Sequence, residues 1–211
     1  MLDPSAPSSW LLWGSANVSD ALRKVGKCFQ AMDAGIRPLV DDMAVAGPAF
    51  TVRCYPGATW AMEKSLELAQ PGDVLVVDGG ASPHVNLMGG LMSTRAKSRG
   101  IAGAVLDAAV RDTQDIVSLN FPVFSRYVCP RAGTFSEIGE WQTTICCGQI
   151  PVHPGDWIVG DRNGVAVVPA DLKTKVAAEA EAIRRYEEDV AVQLEAGKNF
   201  QEAAQAVKGS T

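Results

Sequence analysis

The sequence predicts an α/β fold: a single domain built around a parallel βαβ unit and closed by a long C-terminal helix. Three observations predict it. Val74-Leu-Val-Val77 and Ile101–Leu106 are continuous apolar runs, the pattern of strands buried on both faces. A helical segment from Gly90 to Arg99 lies between them, and strand, helix, strand in that rhythm is a parallel crossover. From Asp171 to about Ala196 the chain is rich in Ala, Glu, Lys and Leu and contains neither Pro nor Gly.

The elements follow in order. Residues 1–15 are rich in Ser and Pro, so a loosely held terminal segment is expected. Ser19 before Asp20-Ala-Leu-Arg-Lys-Val reads as the N-cap of a short helix. Ala49–Tyr55 has strand character and ends at Pro56-Gly57. Met62, Leu66 and Ala69 recur at helical steps, which predicts an amphipathic helix from Thr59 to Ala69. Pro71-Gly72-Asp73 turns the chain into the Val74 strand, and Asp78-Gly79-Gly80 is expected to end it. Phe121–Phe124 reads as a further short strand. Pro154-Gly155-Asp156 repeats the turn-strand device, and Asp161-Arg162-Asn163-Gly164 is a tight turn with Val165–Val168 as its hairpin partner. Gly197 fits a glycine that stops the terminal helix. The expected organisation is a loose segment at 1–15, an α/β domain at 16–170 and the terminal helix at 171–211. A helix of that length needs something to pack on, and a neighbouring subunit is expected.

Composition narrows the function classes. The chain has 211 residues, 47% of them hydrophobic, and a net charge of −5. That is an ordinary globular balance with enough chain for one substantial core. Acidity argues against a nucleic-acid partner, because phosphate binding needs concentrated basic charge. Arg184-Arg185 sits among acids. No apolar run approaches the ~20 residues of a spanning helix, so no membrane partner is expected. The N-terminus lacks the basic-then-apolar pattern of a signal peptide. The five cysteines lack zinc-site spacing, and Cys146-Cys147 is not a CxxC. They read as reduced, mostly buried thiols of a cytoplasmic protein. No GxGxxG nucleotide loop is present, so nucleotide-dependent methyl transfer has no support.

The stretch that carries chemistry runs from Gly89-Gly90-Leu91-Met92 to Asp115. Gly90 opens a predicted helix, where the amides of Leu91 and Met92 favour an anion. Arg111 stands twenty-one positions later at the exit of a buried strand, followed by Asp112 and, three further on, Asp115. Ligands of open α/β sheets gather at the carboxyl ends of strands. Amides and a guanidinium fork bind a small carboxylate. A carboxylate pair suits a hard cation such as Mg²⁺, and a 2-oxo acid can chelate that cation. Taken singly, each feature has an ordinary reading: close packing for Gly-Gly and a surface ion pair for Arg-Asp. Asp78 and Asp107, at the ends of buried strands, read as structural. His84 and His153 lack metal-ligand spacing, and His84 reads as a surface residue.

The runs Ala46-Gly-Pro-Ala-Phe-Thr-Val-Arg53, Gly72-Asp-Val-Leu-Val-Val-Asp-Gly79, Ala96-Lys-Ser-Arg-Gly100, Ala109-Val-Arg-Asp112 and Pro154-Gly-Asp156 resemble the RraA-like proteins. These include 4-hydroxy-4-methyl-2-oxoglutarate/4-carboxy-4-hydroxy-2-oxoadipate aldolases. The resemblance implies a swivelling β/β/α fold assembled as trimers or hexamers. It also implies retro-aldol cleavage releasing pyruvate, with oxaloacetate decarboxylation as a companion activity. One aldolase pattern of the family is Asp, twenty residues, Arg-Asp, and here Gly90 stands in place of the first Asp. The chain matches a second pattern, in which Gly replaces that Asp and an acid follows Arg-Asp after two residues. Asp115 is then implied to supply the missing carboxylate. The resemblance implies that Arg111 binds the substrate carboxylate and enolate oxygen and that Asp112 anchors Mg²⁺ or Mn²⁺, partly through water. It implies a further acid from a neighbour's C-terminal helix, for which Glu187 and Glu188 are the candidates. The alternative the family offers is a protein that binds and regulates a ribonuclease without catalysis.

Overall fold

The β-branched runs become the centre of a sheet because each alternate side chain meets a different core. In the computed structural model, which describes residues 2–208, Leu75 and Val77 enter one apolar cluster and Val74 and Val76 another. That is the period-two alternation of a strand covered on both sides. The elements run α1 (Pro7–Lys24), β1 (Arg37–Pro38), β2 (Val45–Arg53), α2 (Trp60–Leu68), β3 (Val74–Met88), α3 (Gly90–Ser98), β4 (Gly103–Val110), α4 (Thr113–Ser118) and β5 (Val123–Val128). They continue through β6 (Glu140–Trp141), β7 (Ile145–Cys147), β8 (Ile150–Val152), β9 (Trp157–Asp161) and β10 (Gly164–Val168) to α5 (Lys173–Glu195) and α6 (Phe200–Lys208). The sheet order is β1-β5-β4-β3-β2-β9-β10, with β6 also pairing β2. Strands β2 to β5 are parallel, and β9 and β10 join as an antiparallel hairpin.

Three cores result. The first packs α2, α3 and α4 on one face of the parallel strands. The second joins Val105 and Phe124 of that sheet to Ile158, Val165 and Val167 of the hairpin, so the sheet curls back on itself. The third covers the hairpin's outer face, Val159 and Val168, with α1 and α5. The predicted α/β domain, its βαβ unit and its long helix near the C-terminus are therefore present.

Three expectations are corrected. Residues 1–15 are not all loose, because α1 begins at Pro7 and buries Trp10 and Trp13. Trp10 stacks edge-on with Trp13 and lies against Trp157. Burying two indoles outweighs a Ser- and Pro-rich composition, and Pro is favoured at a helix start. Ser19 lies inside this helix rather than capping one. The break is at Gly14 (φ 75°), after which Ser15 donates from its amide and hydroxyl to Asp161 (2.7 and 2.8 Å).

Second, β3 does not end at Asp78-Gly79-Gly80 but continues to Met88 through several register shifts against β4. Gly79 permits this: a Cβ there would lie 2.6 Å from Ala108 Cβ and 2.7 Å from Leu87 Cδ1. Third, Gly197 (φ 90°) stops α5 as expected, but the segment beyond it is a separate element and not part of that helix. It forms α6, which starts with a reciprocal cap in which Asn199 Oδ1 accepts from the Glu202 amide (3.0 Å) and Glu202 Oε2 from the Asn199 amide (3.1 Å).

Candidate active site

Strand β4 ends where α3 begins. The Arg111 amide donates to Met88 O (3.0 Å), which ties the exit of β4 to the last residue of β3. Asp112 adopts a left-handed conformation (φ 53°), and the chain turns from strand into α4 within two residues, Arg111 and Asp112. Asp tolerates that region better than most residues. Its carboxylate does not cap α4. Oδ2 instead accepts from the Gly90 amide at the start of α3 (3.1 Å). Arg111 Nε lies 3.3 Å from the same oxygen, buried and in no aligned hydrogen bond. The side chains of Arg111 and Asp112 are otherwise open, at 42% and 40% exposure.

The two glycines make this approach possible. A Cβ on Gly89 would stand 2.6 Å from Asp112 Oδ2 and 3.1 Å from Arg111 Cγ. A Cβ on Gly90 would meet Asp115 Oδ2 at 3.1 Å and Asp115 Cβ at 3.2 Å. Asp115 therefore occupies the space that a side chain at position 90 would take. Gly90, Arg111, Asp112 and Asp115 are brought together as the spacing predicted. Among the described residues, the Leu91 and Met92 amides donate to no partner, which leaves two N–H groups at the α3 terminus for an anion. The Leu91 side chain is exposed, and that of Met92 is packed against the first core.

Glu187 and Glu188 are not brought to this cluster within one chain. They lie on the exposed face of α5, which packs on α1 and α6, and Glu188 accepts from Arg184 one turn earlier. Among the described residues, no group of three His, Cys, Asp or Glu side chains is close enough to hold a metal. One chain thus offers two carboxylates, Asp112 and Asp115, beside a cradle that a Cβ at either glycine would fill. That hard-oxygen set fits Mg²⁺ or Mn²⁺, which keep several waters. A cavity of about 560 Å³ lies elsewhere, between the N-terminal segment, α5 and α6. It holds none of these groups, so size alone does not mark the chemistry.

Two other acids, Asp78 and Asp107, are engaged by neighbouring groups. Asp78 accepts from the Gly80 amide (3.1 Å) and stands 3.8 Å from Arg53 Nε. Asp107 is 6% exposed and accepts from Arg126 Nε (2.5 Å) and the Gly148 amide (2.8 Å). Arg126 also donates to Asp33 (2.6 Å), and the two carboxylates hold its guanidinium well above its ordinary pKa. His84 is exposed. All five thiols are free, with Cys54 and Cys147 buried but Cys28 and Cys146 exposed. Burial pushes Cys54 up to about 12 and raises Cys147 as well, so neither is an activated nucleophile.

Asn86 has a role that its place in the sequence does not signal. It is 5% exposed, and its Nδ2 donates to Cys129 O (3.2 Å) and Arg131 O (2.5 Å) while its amide donates to Arg131 O (3.0 Å). The chain leaving β5 is thereby clipped beside β3.

Residues 15–167 match the RraA-like family model, Aldolase/RraA. The chain belongs to the RraA-like family. A relative from Halalkalibacterium halodurans, provisionally named a 4-hydroxy-4-methyl-2-oxoglutarate aldolase, is 37% identical over 163 residues, 77% of this chain and 76% of the relative. Among solved structures, an uncharacterized protein from Pseudomonas syringae pv. tomato superposes with a TM-score of 0.84 at 26% identity, covering 95% of each chain. Streptomyces coelicolor RraAS2, described as an unusual member of the RNase ES inhibitor RraA protein family, superposes at 0.82 with 27% identity over 92% of this chain and 100% of that one. This RraA-like chain is thus similar both to a protein named for catalysis and to one from a family named for inhibition. No described helix is long and apolar enough to cross a membrane.

Proposed function

We propose that this protein is a divalent-metal-dependent lyase that cleaves 4-hydroxy-2-oxo acids such as 4-hydroxy-4-methyl-2-oxoglutarate to pyruvate and decarboxylates oxaloacetate at the same site. The carrying observation is the convergence of the Gly90 amide, Arg111 and Asp112, with Asp115 in the space that a residue-90 side chain would fill. Surface ion pairs do not require two consecutive glycines cleared of side-chain volume.

Asp112 and Asp115 would hold Mg²⁺ or Mn²⁺, which when bound supplies Lewis-acid charge to the 2-oxo acid. The free Leu91 and Met92 amides bind and orient the substrate carboxylate. Arg111 sets its charge beside the keto oxygen, where negative charge gathers as the bond breaks. Transfer of the C4 hydroxyl proton to a water in the solvent-open site opens the C3–C4 bond. The bonding pair moves into the three-carbon fragment as the enolate of pyruvate, and C4 becomes a carbonyl. Return of a proton from water to C3 then releases pyruvate. In oxaloacetate the same enolate forms as CO₂ leaves. The Gly90 amide holds Asp112 in place throughout. Assembly as a trimer or hexamer would let Glu187 or Glu188 of a neighbouring copy add an acid beside Arg111 and Asp112, which are 42% and 40% exposed.

Similarity to an unusual member of the RNase ES inhibitor RraA protein family favours a second reading, a protein-binding regulator. Pyruvate release separates the two. Coupled to lactate dehydrogenase, it is measured on 4-hydroxy-4-methyl-2-oxoglutarate and oxaloacetate with Mg²⁺ and with EDTA, for the natural protein and for Asp112→Ala. Turnover abolished by EDTA and lowered at least 100-fold by Asp112→Ala is expected, the scale of losing one preorganised charged group. Full turnover by Asp112→Ala refutes the assignment, and no turnover by the natural protein favours the regulator.

A further inference from the structure

The proposed substrate carries two carboxylates, whereas Arg111 and the α3 amides account for the one beside the keto group. The second must be met elsewhere along the same sheet edge. Asn86 on β3 pairs with Ala109 of β4 on one side and with Ala132 on the other. Arg131 is therefore fixed along the edge of β3 that faces away from β4. Arg111 is bonded to Met88, two residues further on, along the β4 edge. Two strand spacings sideways and at least two residues along β3 separate the two arginine backbones, about 12 Å in all. A five-carbon diacid between two arginine side chains fits that span.

The position of Arg131 is well determined. Its carbonyl accepts both the Asn86 amide and the Asn86 Nδ2, from a side chain that is 95% buried by its 5% exposure. A loop needs no such anchor merely to pass over a surface. Arg131 itself is exposed, and among the described residues its guanidinium has no ion pair and no hydrogen bond.

We propose that Arg131 forms a second carboxylate subsite, which selects 2-oxo acids bearing a carboxylate at the far end of a five-carbon chain. The proposal rests on the lyase reading for its substrate, but binding tests it separately from turnover. The probes are 2-oxoglutarate and 2-oxopentanoate, chains of equal length with and without the far carboxylate. They are titrated calorimetrically in Mg²⁺ into the natural protein, Arg131→Ala and Arg131→Lys. The natural protein is expected to prefer the diacid. Arg131→Ala should cut that preference about 10- to 100-fold, the range for one charge-assisted partner, with Arg131→Lys in between. An equal preference in Arg131→Ala overturns the subsite, as does a natural protein that does not prefer the diacid. A preference that depends on Arg131, without pyruvate release from 4-hydroxy-4-methyl-2-oxoglutarate, supports the subsite and overturns the lyase reading. Binding of neither acid overturns both.

Discussion

Moving a carboxylate from position 115 to position 90 tests whether the two positions serve one purpose. A Cβ on residue 90 would stand 3.1 Å from Asp115 Oδ2, and the residue has helical backbone angles without a positive φ, so Asp can be placed there conformationally. Gly90→Asp alone puts two carboxylates in one space. Two like charges 4 Å apart repel by about 1 kcal/mol in water and about 4 kcal/mol at an effective dielectric of 20. The favourable setting of Asp at a helix N-terminus recovers only about 0.3–1 kcal/mol. Asp115→Ala alone removes one of two oxygen donors and should lower metal-dependent pyruvate release by about 100-fold. The double variant Gly90→Asp/Asp115→Ala restores one carboxylate in the shared space. Alanine at 115 keeps its Cβ 3.2 Å from the new side chain, so recovery is incomplete. The double variant should exceed Asp115→Ala at least tenfold, a gain of about 1.4 kcal/mol, and the loss caused by Gly90→Asp alone adds to this in the coupling. Turnover and Mn²⁺ binding are measured on all four proteins. A double variant whose loss is the product of the two single losses refutes the shared role.

Two further outcomes follow from the ionisable groups. Glu181 accepts from Trp13 Nε1 (2.9 Å) and from Arg184 and Arg185, with Arg184 the largest influence, and these hold its carboxyl at about 2 instead of 4.5. A folded pKa below the unfolded value gives stability that is complete above about 4.5 and lost as the pH falls toward 2. Melting temperatures of Glu181→Gln and the natural protein should therefore converge as pH drops from 5 to 2, and parallel curves would contradict this. Iodoacetamide followed by mass spectrometry should label Cys28 and Cys146 before Cys54 and Cys147, because burial hides the latter two and keeps them protonated. Early labelling of Cys147 would show that β7 opens readily.

The central sheet was legible because its signal is local. Val74–Val77 and Ile101–Leu106 are apolar at every position, and β-branched side chains suit a pleated surface covered on both faces. The site was legible in part for the same reason: Gly90 marks a helix start, and Arg111 follows a buried strand. What stayed hidden depends on distant partners. Trp10 and Trp13 look like residues of a loose Ser- and Pro-rich terminus until Trp157 and Glu181 are placed beside them. Asn86 reads as an ordinary polar residue until the chain leaving β5 crosses to meet it. The start of α6 was within reach, since Asn199 followed three residues later by Glu202 has the form of a helix cap.

The third core, between α1, the β9–β10 hairpin and α5, sets an order of events during synthesis. Trp13 reaches its carboxylate partner Glu181 across 168 positions of chain. At about 5–20 residues per second, the ribosome needs roughly 10–30 s to make that stretch. For that time the tryptophan-rich first helix lacks α5, one of the surfaces that cover it. The newborn chain must carry it as a partly uncovered apolar segment while the parallel sheet forms, until the β9–β10 hairpin and then α5 emerge to complete its cover.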